Sequence, residues 1–333
     1  MKDKLTFGVF GGGSWGTAIV KMLTENLDQV HWYMRSDSAI RHIQKEWHNP
    51  NYLSSVEFDV DQLVMSHDIN TIAEASDVLI FAIPSAFLER ELQALTVPVK
   101  DKIIFSAIKG IVPESGRIVG EHFNEKYGIS FENIGVITGP CHAEEVALER
   151  LSYLTIACAD ADKAKMVAKH LKSDYIRTKI SDDIIGTEYA AMLKNIYAIA
   201  AGIAHGLGYG DNFQSVLMSN AIREMKRFID RVYKMKRNIN ASAYLGDLLV
   251  TGYSTFSRNR MFGNMIGKGY TVKSAMMEMN MVAEGYYATQ SAHNLMEKLQ
   301  KKSKTPIINA VYQVLYKNKN PKKVFEKLTE KLD

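Results

Sequence analysis

The chain has 333 residues, 46% hydrophobic and 23% charged, with a formal net charge of +4. This length and balance suit two domains with separate cores and exclude a disordered chain or a disulfide-built mini-protein; the charge is too small to point to nucleic acid. Cys141 and Cys158 form neither a disulfide framework nor a metal-type cluster, so no metal centre is expected, and a reducing, cytoplasmic setting is. The first residues run straight into a short apolar strand and glycines, without the apolar core and cleavage site of a signal peptide. The most apolar stretch, 190–204, contains Lys194 and Asn195 and falls short of the roughly 20 residues of a membrane span.

Short β-branched or apolar runs alternate with helical stretches through the first half. Leu5–Phe10 reads as a buried strand, Thr17–Leu27 as a helix and Val30–Met34 as the next strand. Val78–Ile83, Ile103–Ala107, Ile134–Ile137 and Ser152–Ala159 continue the series. The alternation predicts βαβ crossovers and a doubly wound, mainly parallel sheet, the α/β class. From about Ser181 the strand-like runs stop and long helical segments take over. The expected organisation is therefore an α/β domain over 1–180 and an all-helical domain over 181–333. The lysine-dense segment 298–327 reads as solvated helix faces.

The first strand delivers Gly11-Gly12-Gly13-Ser14-Trp15-Gly16, which has the G-x-G-x-x-G spacing with Gly11, Gly13 and Gly16. Between a strand and a helix this spacing suits a dinucleotide: one glycine turns the chain, the next admits the pyrophosphate, and the third lets helix and strand pack closely. The second strand ends in Arg35-Ser36-Asp37, where an acidic residue would hold an NAD ribose. A guanidinium and a hydroxyl there suit a 2′-phosphate, so the reading leans to NADP(H), with NAD(H) open through Asp37. Lys109 follows an apolar strand and should sit at the carboxyl end of the sheet, where ligands of such folds bind. Gly139-Pro140-Cys141-His142-Ala143-Glu144-Glu145 opens a helix whose two carboxylates suit its first turn.

Lys194 is the most anomalous residue. It lies in Tyr189–Gly202, a segment apolar on nearly every helical face, where a charge needs a partner or a purpose. Asp247, within Gly246–Thr251, is the partner we select, since a desolvated lysine beside a carboxylate can exchange a proton with a substrate oxygen. Ser257-Arg258-Asn259-Arg260 places two guanidinium groups and an amide together, a pattern that fits a phosphate clamp.

In order along the chain, these segments closely resemble the NAD(P)-dependent glycerol-3-phosphate dehydrogenase family of bacterial type. The resemblance runs through Gly11–Ala18, Ala82–Ser85, Ala107–Gly110, Gly139–Pro140, Ala143–Ala147, Leu193–Ala198, Gly206–Asn212, Gly246–Leu248, Ser257–Arg260 and Ala283–Gly285. It implies a Rossmann-type domain followed by a helical one, and interconversion of dihydroxyacetone phosphate and sn-glycerol 3-phosphate for phospholipid synthesis. It implies Lys194 as proton donor and acceptor, supported by Lys109 and Asp247. Substrate would meet Lys109, Gly139, Asn195, Asp247, Thr251, Ser257, Arg258 and Asn259. Cofactor would meet Gly11, Gly13, Ser14, Trp15, Gly16, Arg35, Ser36, Lys109, Ala143, Arg258, Val282 and Glu284. It is compatible with a homodimer.

The chain departs from the family's habit at Cys141 and His142, at His205, and at Ser219-Asn220-Ala221. None of these removes a proposed catalytic group. A β-hydroxy-acid dehydrogenase would share the nucleotide domain and a helical Lys-Asn pair, but the Ser-Arg-Asn-Arg segment argues against it. A nicotinamide-binding regulator without turnover is disfavoured by the intact Lys109, Lys194 and Asp247.

Overall fold

A computed structural model describes residues 5–279, 283–299 and 304–333. The chain forms two compact units. One holds the residues up to Ile108 together with Arg117–Ile184; the other holds Lys109–Gly116 together with Ile185–Asp333. The excursion 109–116 leaves the first unit directly after a sheet strand and packs with the second.

The first unit is built on an eight-stranded sheet. Its strands are β1 (Phe7–Phe10), β2 (Val30–Tyr33), β3 (Leu63–Ser66), β4 (Val78–Phe81), β5 (Ile103–Ser106), β6 (Ile134–Thr138), β7 (Ser152–Cys158) and β8 (Ile176–Ser181), ordered 8-7-6-5-4-1-2-3. All neighbours are parallel except β6 and β7, where Val136 faces Ala157 in an antiparallel pair. Strands β1, β2 and β4 are buried at every residue, which is why they read as unbroken apolar or aromatic runs and not as alternating ones. Phe10 and Phe81 stack at 4.6 Å across β1 and β4. Because β1 lies between β2 and β4, the strand order reverses beside it, and this opens a crevice at the carboxyl ends where ligands of such sheets bind.

Two strands of this sheet were not foreseen, nor was a separate small sheet of Ile111–Val112 and Arg117–Ile118. Leu63–Ser66 and Ile176–Ser181 occupy the two edges of the sheet, and both are mostly half-buried or exposed, so neither carries the apolar signature of the central strands.

The helices of the first unit are α1 (Ser14–Thr24), α2 (Asp37–Glu46), α3 (Ile69–Ala75), α4 (Ser85–Leu92), α5 (Val119–Tyr127), α6 (Ala143–Ala147) and α7 (Ala161–Leu171). Ser36 caps α2 by accepting from Ala39 N at 3.2 Å, and Asp160 caps α7 by accepting from Asp162 N and Lys163 N.

The second unit is helical: α8 (Ile184–Gly206), α9 (Asp211–Val232), α10 (Asp247–Tyr253), α11 (Arg258–Gly267), α12 (Val272–Glu278), α13 (Glu284–Lys298), α14 (Pro306–Tyr316) and α15 (Pro321–Thr329). Helices α8 and α11 meet backbone to backbone. A methyl group at Gly202 would come within 2.1 Å of the Arg260 carbonyl oxygen, one at Gly263 within 2.2 Å of the Ile199 oxygen, and one at Gly267 within 2.4 Å of the Ile203 oxygen. Only residues without a Cβ permit that approach. A second tie joins α9 to α14: fully buried Glu224 accepts from Ile307 N at 2.9 Å and Ile308 N at 3.0 Å, and so supplies the cap that Thr305 does not. No described helix is long and apolar enough to cross a membrane.

Candidate active site

In the first unit, the end of β1 turns sharply into α1. Gly11 has φ +130°, in a region that L side chains rarely adopt, and a methyl there would sit 2.8 Å from the Ala82 carbonyl oxygen. A methyl at Gly16 would come within 2.1 Å of the Gly11 oxygen, so the third glycine is required for α1 to close on the turn. Around Gly13 there is open space. Helix α1 starts at Ser14 with no side-chain cap and no acidic residue in its first turn, so its leading N–H groups and the positive end of its dipole suit an anion. The three glycines thus meet the steric demands that a dinucleotide turn makes. Buried Ser14 and half-buried Trp15 occupy the first turn.

At the end of β2, Arg35 is largely exposed and reaches Glu91 Oε1 at 3.4 Å, while Tyr33 donates to Glu91 Oε2 at 2.9 Å. The Ser36 hydroxyl is engaged as the α2 cap. Asp37 is ion-paired with Arg41, and His67 lies 3.7 Å from its other oxygen. Gly139, with φ +117°, closes β6, where a methyl would approach the Tyr153 oxygen to 2.8 Å; buried Ala143 opens α6, which packs on α1.

The second unit brings together most of the residues expected to meet substrate. Lys194 is 3% exposed on α8 and forms an ion pair with Asp247, itself 1% exposed at the start of α10. A π-helical turn, Ser242–Gly246, runs straight into α10, a local widening often found at functional sites. Burial pulls the Lys194 ammonium down to about 8, against the attraction of Asp247 and with help from the positive charge of Lys109. Asn195, the next residue, donates its amide to the Lys109 carbonyl oxygen at 2.8 Å and so fixes the backbone that carries Lys109. Thr251, one turn beyond Asp247, is buried and donates to the Asp247 carbonyl oxygen at 2.6 Å.

Ser257 caps α11 by accepting from Arg260 N at 3.3 Å. Arg258 begins that helix with an exposed side chain. Asn259 is buried, and its Oδ1 accepts from Gly285 N at 2.9 Å; this ties α11 to the start of α13, where Glu284 is half-buried. A methyl at Gly285 would in turn lie 2.6 Å from the Asn195 oxygen. Lys194, Asn195, Asp247 and Asn259 therefore belong to one packed cluster. Val282 lies outside the described residues.

Sequence reasoning missed the residues that hold this arrangement. Gly202 and Gly263 seat α11 on α8, and Gln214 donates to the Gly252 oxygen at 3.1 Å, which joins α9 to the helix bearing Asp247. The glycine spacing was visible in the chain, but its partner was not. In the first unit, Trp32, Asn49 and Thr17 contact the glycine turn.

Two family models match the chain: the NAD-dependent glycerol-3-phosphate dehydrogenase N-terminus over residues 6–164 and the corresponding C-terminus over 183–326. A glycerol-3-phosphate dehydrogenase [NAD(P)+] from an Exiguobacterium species is 35% identical over 96% of this chain and 94% of its own. One from Staphylococcus aureus is 32% identical over 97% of both. The crystal structure of glycerol-3-phosphate dehydrogenase from Coxiella burnetii superposes with a TM-score of 0.89 at 27% identity, over 98% of this chain and 99% of that one. With the sheet order, the glycine turn and the Lys194–Asp247 pair as described, the chain belongs to the NAD-dependent glycerol-3-phosphate dehydrogenase family.

Proposed function

We propose that this chain reversibly interconverts dihydroxyacetone phosphate and sn-glycerol 3-phosphate with a nicotinamide cofactor. The observation that carries the reading is the buried Lys194–Asp247 pair with Lys109 beside it, on a helix tied through Gly202 and Gly263 to the one that starts at Arg258. When bound, the cofactor supplies or accepts the hydride; the protein's residues supply orientation, charge and the proton.

In the direction of reduction, protonated Lys194 donates from Nζ to the carbonyl oxygen of the ketone, and in oxidation neutral Lys194 takes the hydroxyl proton back. Burial makes this exchange accessible, since an exposed lysine would hold its proton far more tightly than one lowered to about 8. Asp247 orients the ammonium, and Lys109 stabilises negative charge as it develops on the oxygen. Asn195 keeps Lys109 in place through its backbone, and Asn195 and Thr251 complete the substrate contacts of this unit. Arg258 takes the phosphate by a bidentate fork, with Asn259 and Ser257 beside it.

In the first unit the glycine turn with Ser14, Trp15 and the start of α1 would hold the cofactor's pyrophosphate, with Ala143 as a further contact; in the second, Lys109, Arg258 and Glu284 are the residues that would meet the cofactor. We read the preference as NADP(H). Both groups are ion-paired, Asp37 with Arg41 and Arg35 with Glu91, but Arg35 is the more exposed and meets Glu91 through one nitrogen at 3.4 Å, which leaves the rest of its guanidinium for a 2′-phosphate. Cys141 and Cys158, both buried and neither in a disulfide, support a cytoplasmic setting. The deciding assay follows the absorbance loss of NADPH and of NADH, at matched concentrations, with dihydroxyacetone phosphate. No loss with either cofactor would remove this function.

A further inference from the structure

Three consecutive carbonyl groups of the glycine turn each end on a different buried side chain. Trp32 Nε1 donates to the Gly11 oxygen at 2.9 Å, Asn49 Nδ2 to the Gly12 oxygen at 3.0 Å, and Thr17 Oγ1 to the Gly13 oxygen at 2.9 Å. Asn49 Nδ2 also donates to Thr17 Oγ1 at 2.9 Å. Having received that hydrogen, the threonine hydroxyl directs its own proton to the Gly13 oxygen, which Thr17 N also meets at 2.9 Å as the first bond of α1, so the amide holds Gly12 directly and only reinforces what the helix does at Gly13. Trp32 and Thr17 are fully buried and Asn49 is 1% exposed, so water does not compete for these bonds.

The orientation of the Asn49 amide is set from its other end. Its Oδ1 accepts from Asn51 N at 3.0 Å and Tyr52 N at 3.2 Å, leaving only the NH₂ to face the turn. The surrounding loop is shaped at some cost: Trp47 (φ 62°) and Leu53 (φ 49°), on either side of Asn49, both adopt the left-handed region without being glycine. Trp47 is held there by its N–H to the Ile43 oxygen and by Phe58 N donating to its carbonyl, both at 2.8 Å. Trp47 is the residue that ends α2, so these conformations belong to the bends of the loop, and what requires the buried amide is its bond to the turn.

That requirement is electrostatic. A carbonyl oxygen carries partial negative charge and repels a phosphate, whereas N–H groups attract one. With the Gly11 and Gly12 oxygens turned onto side-chain donors and the Gly13 oxygen taken up by α1, the leading N–H groups of that helix, which no side chain caps, are left as the turn's outward polar edge. We propose that Asn49 is a positioning residue for the cofactor's diphosphate, acting through Gly12 and Thr17 and touching no ligand itself. This rests on the reading that the glycine turn takes the pyrophosphate.

The test compares adenosine with ADP as competitive inhibitors against NADPH, in the wild type and in Asn49→Ala and Asn49→Asp. In the wild type ADP should inhibit far more tightly, and the ratio of the two inhibition constants measures what the diphosphate contributes. Asn49→Ala should shrink that ratio about tenfold through ADP alone, the equivalent of one or two lost hydrogen bonds. It should raise KM for NADPH and NADH alike and leave kcat at saturating cofactor within about twofold. Asn49→Asp keeps the acceptor that binds Asn51 and Tyr52 but loses the donor, so it should lose as much or more. It is isosteric and covers the case in which the alanine variant fails to fold. A large wild-type ratio that persists in both variants would overturn the role of Asn49, as would equal losses for adenosine and ADP, or an Asn49→Asp enzyme that behaves as wild type. A wild-type ratio near one would instead remove the pyrophosphate reading of the turn.

Discussion

Asp247 takes the Lys194 ammonium on Oδ1 and leaves its other carboxylate oxygen, Oδ2, buried and without a hydrogen-bond partner among the described residues. A carboxylate satisfied on one side only is costly in a protein interior, and a substrate hydroxyl would relieve it. On the proposed reading, that open oxygen faces the site of proton transfer. Lys194→Met should retain the fold and cofactor binding but cut turnover by roughly 10²–10⁴-fold, the range for a positioned general acid. Because the ammonium is lowered to about 8, ketone reduction, which needs it protonated, should weaken above that pH, and alcohol oxidation should strengthen across it. Lys109→Met removes a like charge and should move both midpoints up; Asp247→Asn removes the attraction and should move them down. Midpoints that stay fixed in both variants, or turnover within a few-fold of wild type in Lys194→Met, would take Lys194 out of the mechanism.

Cofactor choice depends on the end of β2. Arg35→Asp puts a carboxylate beside Glu91 and where a 2′-phosphate would approach, so kcat/KM for NADPH should fall well below that for NADH. A specificity ratio unchanged from wild type would show that Arg35 does not read the ribose.

Glu224 offers a stability test away from the chemistry. Burial raises its carboxyl to about 7, against the opposing bonds from Ile307 and Ile308. Its folded value therefore lies above the unfolded one, the folded chain holds the proton more tightly between an ordinary glutamate's 4.5 and about 7, and this contribution to stability declines as pH rises through that window. Glu224→Gln should flatten that slope. Glu224→Ala strands two buried N–H groups and should cost about 2–4 kcal/mol. Denaturant midpoints measured across pH decide the matter, and a midpoint in Glu224→Ala equal to that of wild type would show that the cap is dispensable.

The parts of the molecule legible in its sequence are those whose causes are local. Phe7–Phe10 and Val78–Phe81 are central strands buried on both faces, so they announce themselves as apolar runs. Lys194 stood out because one charge in an apolar helix is itself an anomaly. Edge strands carry no such signature, and Ile176–Ser181 is half polar because one side of it has no neighbouring strand. Asn49 was invisible for a different reason: its meaning is a bond to Gly12, 37 residues earlier, and nothing around it in sequence marks that partner. Gly202 and Gly263 are likewise ordinary until the two helices are seen to touch. Ser36 and Ser257 carry a local signal that the reading of them as cofactor and substrate contacts passed over: a serine before a helix can cap it, and each hydroxyl accepts from the backbone N–H three positions on.

The phosphate contact separates a sugar-phosphate enzyme from a generic alcohol dehydrogenase, and Arg258 is where it can be tested. The residue starts α11 with its side chain exposed, one position before Asn259, whose Oδ1 is held by Gly285 N. Removing a bidentate guanidinium from a phosphate forfeits about 1.5–3 kcal/mol, or about ten- to a hundredfold. Arg258→Ala should therefore lower kcat/KM for dihydroxyacetone phosphate by that factor. Part of the loss should fall on kcat, because binding energy from a remote phosphate helps to orient the reacting carbonyl. Unphosphorylated dihydroxyacetone should be a poor substrate from the outset and should lose far less, once any weakening of cofactor binding has been measured separately. Arg258→Lys should recover little, since a point charge cannot reproduce the planar fork. If both ketones lose equally, Arg258 serves the cofactor or the fold, and the phosphate must be held elsewhere.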